Sequence, residues 1–72
     1  MCRYFFDLVS NRRSEYDYRG CELHTPEHAL LLGELIAIDL GLDADADWHG
    51  WTVSVRNTHG RQLHAIPVPA AA

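Results

Sequence analysis

The chain has 72 residues, an apolar fraction of 47% and a formal net charge of −4. That length makes one small domain, that apolar fraction excludes a disordered chain, and no run approaches the roughly 20 apolar residues of a membrane span. All six basic residues are arginines, and an acidic chain with scattered arginines lacks the electrostatic footprint of a nucleic-acid binder.

The first residues, Met1-Cys2-Arg3-Tyr4-Phe5-Phe6-Asp7, carry an early aspartate and no small-residue cleavage site, so they read as a strand and not as a signal peptide. Arg3 to Val9 alternates, with Tyr4, Phe6 and Leu8 on one face and Phe5, Asp7 and Val9 on the other. Ser10 to Ser14 is a turn cluster, and its Arg12-Arg13 pair reads as a solvated hairpin tip. Glu15 to Arg19 alternates again and predicts a second strand with Tyr16 and Tyr18 facing in and Glu15, Asp17 and Arg19 facing out. A tight turn at Asn11-Arg12 would set Cys2 opposite Cys21, and Tyr16 and Tyr18 against Asp7 and Phe5. A register shifted by one residue sets the tyrosines against Phe6 and Tyr4, the better aromatic match. Gly20 then breaks the alternation as a bulge or bend before Cys21-Glu22-Leu23. Two cysteines make no disulfide framework, and free thiols in a reducing compartment are expected.

Thr25-Pro26-Glu27 is a helix start: a capping hydroxyl, a proline suited to the first turn, and a carboxylate at the positive end of the dipole. The helix is expected from Pro26 to about Leu40, with Gly41 as its stop. At 3.6 residues per turn Ala29, Leu32, Gly33, Ile36 and Leu40 form one apolar stripe. Leu31, Leu35, Ile38 and Leu42 form a second, more than a third of a turn away. One sheet covers only one of them. The second either stays as tolerated surface or is covered by association, which makes these four residues the expected contact surface.

Trp51 to Arg56 predicts a third strand and Gln62 to Ile66 a fourth, joined by a turn at Asn57-Thr58-His59-Gly60. Pro67 and Pro69 keep the end of the last strand out of a central ladder. Residues 1–69 are read as a single domain and Ala70 to Ala72 as a frayed tail. The expected fold is α+β: ββαββ, a four-stranded antiparallel sheet with one helix packed on one face.

Arg3-Tyr4-Phe5-Phe6-Asp7-Leu8, Gly20 with Glu22-Leu23, the helix, Gly50-Trp51-Thr52-Val53-Ser54-Val55, Gly60-Arg61-Gln62-Leu63 and Ile66-Pro67-Val68 follow in an order that resembles a family of small bacterial proteins classed as a domain of unknown function. The resemblance spans nearly the whole chain. It implies the ββαββ layout and a bacterial, cytoplasmic setting, and it carries no catalytic residues. Relatives place Arg, Glu and Ala along the helix where this chain has Leu30, Leu31, Leu32 and Leu35, which points this member toward an apolar contact.

Four constellations could carry chemistry. Cys21, His24 and His28 have metal-like spacing, but a structural zinc site needs four ligands and the second half is missing. Cys21 with a histidine could form a nucleophile–base pair, without any local signature or room for a concave site. Tyr16, Tyr18, Trp48 and Trp51 could stack bases, but the chain lacks a basic groove, so core packing explains them better. Asp43, Asp45 and Asp47 begin like a calcium loop, but its sixth position is Trp48, not glycine, and its twelfth is Ser54, not glutamate. The reading that results is a non-catalytic, cytoplasmic protein-interaction or self-association module that needs no cofactor. It would form a homodimer or bind a partner protein, not nucleic acid or a membrane. Divalent-metal binding through Cys/His or Asp side chains is the alternative.

Overall fold

The computed structural model describes residues 1–69; the tail expected over Ala70–Ala72 lies outside the described residues. The elements run β1 (Cys2–Val9), β2 (Ser14–Glu15), β3 (Cys21–Leu23), α1 (Pro26–Gly41), β4 (Thr52–Arg56) and β5 (Gln62–Pro67). The fold is α+β, with an antiparallel sheet of five strands and one helix.

The sheet order is β2-β1-β4-β5, so the N-terminal strand lies beside the third of the four predicted strands. Its partners pair along different stretches. β2 pairs with the C-terminal end of β1 (Leu8 opposite Glu15), and β3 with the N-terminal end (Tyr4 opposite Cys21). β4 pairs with Phe5 to Val9. The expected second strand is therefore replaced by two short ones, and the register slips by two residues between them. Cys21 ends opposite Tyr4 rather than Cys2, and both thiols are free.

The expected placement of the tyrosines is corrected at the same point. Tyr16 and Tyr18 are exposed, at 56% and 86%, and Asp17 turns inward in their place. Alternation favours the tyrosines, but a carboxylate with several donors in reach gains more from the inside position than an aromatic ring that would meet no second layer there.

The helix starts where Thr25 Oγ1 accepts the His28 N–H at 3.2 Å, with Pro26 in the first turn. It rests on the sheet through its smallest residues: Ala29, Gly33 and Ala37 are buried, one turn apart. They seat against two joined clusters, Tyr4 and Val55 at one end and Val53 and Val68 at the other, with Phe6 and Ile66 bridging both. The close approach depends on Gly33, because a Cβ there would stand 2.6 Å from Ile66 Cδ1 and 3.1 Å from Val55 Cγ2. Val55 is fully buried and cannot retreat. Gly33→Val is accordingly expected to destabilise the domain by about 1–3 kcal/mol through overpacking, read as a lower urea midpoint; an unchanged midpoint would mean that the helix does not sit this close.

Candidate functional site

Two places stand out from the fold: a polar network on the open sheet face, and the outer face of the helix. The network begins with Asp7, an acidic residue in the middle of β1 that is only 2% exposed. Asp7 lies directly across from Ser54 and diagonally from Arg56. Arg56 Nε donates to Asp7 Oδ2 at 2.7 Å, and its guanidinium also donates to the Asp17 carbonyl at 3.0 Å. Its Cζ lies 4.4 Å from the centre of the Phe5 ring, the residue directly opposite.

Asp17 completes the arrangement. Its N–H donates to Asp7 Oδ1 at 2.9 Å. Its carboxylate accepts from Phe6 N–H at 3.1 Å and from the Arg19 and Gly20 N–H groups at 3.0 Å each. Gly20 makes this turn with φ +72°, and a Cβ there would stand 2.9 Å from both Arg3 Cγ and Phe5 Cε1. Burial pushes the Asp17 carboxyl up, but the Gly20, Phe6 and Arg19 N–H bonds and the Arg56 charge outweigh it and hold it below its ordinary value. Each carboxylate oxygen of Asp7 and Asp17 accepts at least one hydrogen bond from the chain itself, so the network acts as a clamp on residues 15–21. Asp7 in a strand and Asp17 three residues before Gly20 were the available signals; the second is an aspartate-turn pattern that the tyrosine alternation masked.

The metal candidates do not gather. His24 and His28 face each other edge-on with ring centres 6.4 Å apart, and Cys21 Sγ lies 3.9 Å from the Glu22 carbonyl. Among the described residues no three His, Cys, Asp or Glu side chains come together as metal ligands. The aspartate run serves the loop's own backbone. Asp43 Oδ1 accepts from Asp45 N–H and Asp47 Oδ1 from His49 N–H, both at 2.9 Å. Asp43 Oδ2 accepts the Trp48 indole N–H at 3.1 Å. The Asp45 N–H bond and then the Trp48 bond hold the Asp43 carboxyl below its ordinary value. Trp48 and Trp51 meet at 5.2 Å, nearly perpendicular, and pack on the Ala37–Val53–Val68 cluster, so they fasten the loop to the core.

Two concavities lie near this loop. One, of about 90 Å³ between Leu40, Asp43, Trp48, His49 and Val68, is well below the roughly 300–1,000 Å³ of ligand pockets. The other is an open groove of about 390 Å³ along Ser10–Arg12 and His49–Trp51. Its one hydroxyl, Ser10 Oγ, donates to the Arg13 carbonyl and accepts the Arg12 and Arg13 N–H groups, so it is committed to the turn.

The outer helix face differs in kind. Leu31, Leu35, Ile38 and Leu42 are exposed at 55%, 53%, 49% and 76%. They are spaced four, three and four residues apart, so they form one continuous seam about 16 Å long at 1.5 Å per residue. Glu27, His28, Glu34 and Asp39 border it and are all exposed.

Fold and surface together define a small α+β domain in which the Asp7–Asp17–Arg56 network and the aspartate loop are hydrogen-bonded within the chain and one helix face is apolar and exposed. The chain belongs to the family described as Domain of unknown function (DUF6894), whose model matches residues 3–69. Neither the curated proteins nor the solved structures contain a match.

Arg56→Leu would leave Asp7 as a buried, unpaired carboxylate, at a cost of about 3–5 kcal/mol. This equals the roughly 3–5 kcal/mol that a core of this size supplies, so circular dichroism should show a largely unfolded chain at 25 °C; a native spectrum and melting point would refute the clamp. For Asp17, the folded carboxyl titrates below the unfolded one. Its contribution is therefore present above the unfolded pKa of about 3.9 and lost as pH falls through the folded value. Asp17→Asn is expected to lower stability at pH 7 by about 1–3 kcal/mol. The gap between the two proteins in urea titrations should shrink as pH drops below about 4; a gap constant with pH would exclude this linkage.

Proposed function

We propose that this domain works by protein contact without a catalytic step, in a bacterial cytoplasm, and that the seam Leu31, Leu35, Ile38 and Leu42 is the contact surface. The observation that carries the reading is the exposure of four large aliphatic side chains in line on one helix. Scattered exposed leucines are ordinary, whereas a contiguous apolar strip bordered by charge marks an interaction surface. The heptad-like spacing fits a second helix lying along α1 at a shallow angle, its side chains entering between these four. Support from the rest of the fold is indirect: the clamp and the aspartate loop have their donors and acceptors committed within the chain.

The test is a Leu35→Gln, Ile38→Gln variant. Both positions are about half exposed, 53% and 49%, so the variant should fold with a melting temperature near that of the parent. Cross-linking in bacterial cells, with sedimentation velocity of the purified chain to detect self-association, should show that the parent assembles with a partner protein or with itself and that the variant does not. A parent that forms none in solution or in cells, or an assembly that persists in the variant, would refute the seam as the contact.

A further inference from the structure

We infer that the occupant of this seam is an amphipathic helix of another protein whose own apolar seam is flanked by lysine or arginine. The inference rests on the contact reading above and adds the chemistry of the partner.

The charges around the seam are of one sign. From Cys21 to Trp51 the chain carries Glu22, Glu27, Glu34, Asp39, Asp43, Asp45 and Asp47, and neither arginine nor lysine. On a helical projection Glu27 and Glu34 border one side of the seam and His28 and Asp39 the other. Asp43, Asp45 and Asp47 follow its C-terminal end and are exposed. The helix has no basic residue in its last turn, so its own negative pole adds to theirs.

The arginines sit elsewhere and are partly engaged. Arg56 binds Asp7, Arg3 binds Glu22 at 2.8 Å, and Arg13 lies over Trp51, 5.5 Å from the ring centre. A second copy therefore brings acid against acid. Placed parallel, Glu34 of one helix falls across from Asp39 of the other, the pairing that flanking positions use in a two-helix seam. Placed antiparallel, Glu27 falls beside the Asp43–Asp47 run and the helix C-terminus. A basic-flanked helix turns each of these contacts favourable.

Seam length argues the same way. Four residues span about two heptads, whereas sustained coiled coils use at least three or four. The apolar strip alone is short, and charge on its borders is what this surface has to add.

The experiment uses the whole chain and two fluorescent synthetic helices of roughly 21 residues, three heptads long. Both have the same leucine–isoleucine seam; one has lysine and arginine at the flanking positions, the other glutamate. By anisotropy at about 0.15 M salt the basic-flanked helix should bind at least about tenfold tighter, and this preference should shrink near 1 M salt, where the Debye length falls to about 3 Å. A Glu34→Lys, Asp39→Lys variant should narrow or reverse the preference, and Leu35→Gln, Ile38→Gln should abolish binding of both helices. Equal binding of the two helices, or binding of the basic helix that survives loss of the seam, would overturn the inference. Stripe-dependent self-association with neither helix bound would overturn it in favour of a second copy, leaving the contact reading standing. Neither helix bound and no stripe-dependent assembly would remove both.

Discussion

Asp7 is the constraint on which the rest of the sheet depends. A carboxylate at 2% exposure in the central strand is untenable unless it is paired and hydrogen-bonded. Arg56 supplies the charge from β4, and the Asp17 N–H supplies a second donor from the connection between β2 and β3. Arg56 then reaches the Asp17 carbonyl, and the Asp17 carboxylate reaches back to Phe6 N–H on β1. Three separate stretches of chain are thereby held at one point, and each loses its register if that point is dissolved. The two-residue slip between β2 and β3 follows from it: the chain leaves the ladder so that Asp17 can satisfy groups that a regular strand would have left to Tyr16 and Tyr18.

The opposite face of the sheet obeys a different constraint, that of close packing. Phe6, Val53, Val55 and Ile66 leave little depth, and the helix meets them with Ala29, Gly33 and Ala37. A helix whose small residues face the sheet places its large ones at the sides and outside. Ile36 and Leu40 are partly buried against the Ala37–Val53–Val68 cluster, while Leu31, Leu35, Ile38 and Leu42 are left in solvent. The apolar seam is thus a consequence of the same geometry that closes the core, and exposed Glu27, Glu34 and Asp39 lie along its borders.

Several residues whose types and spacing suggest chemistry in the sequence serve the fold in the structure. Asp43 and Asp47 cap their own loop, Ser10 caps its own turn, and Cys21, His24 and His28 stay apart from any common centre. Residue type and spacing make such clusters conspicuous in a sequence; hydrogen-bond partners decide whether anything is left to bind.

Much of the fold was legible from local pattern. Alternation in Arg3–Val9, the Thr25-Pro26-Glu27 start and the two helix stripes all depend on neighbours within a few residues, where covalent geometry and propensity dominate. Pairing across the chain was not legible there. Whether Asp17 or the tyrosines turn inward depends on Arg56, 39 residues away, and on a β1–β4 adjacency that no local signal encodes. Two helix stripes were apolar on paper and Ala37 was in neither; the depth left by Val55 and Ile66 selected Ala29, Gly33 and Ala37 for the inside. Periodicity along the chain determined the elements and their faces, because it reflects local geometry. Burial, charge pairing and the choice of exposed face were decided only in three dimensions, because each is an energy of contact between residues that the sequence keeps apart.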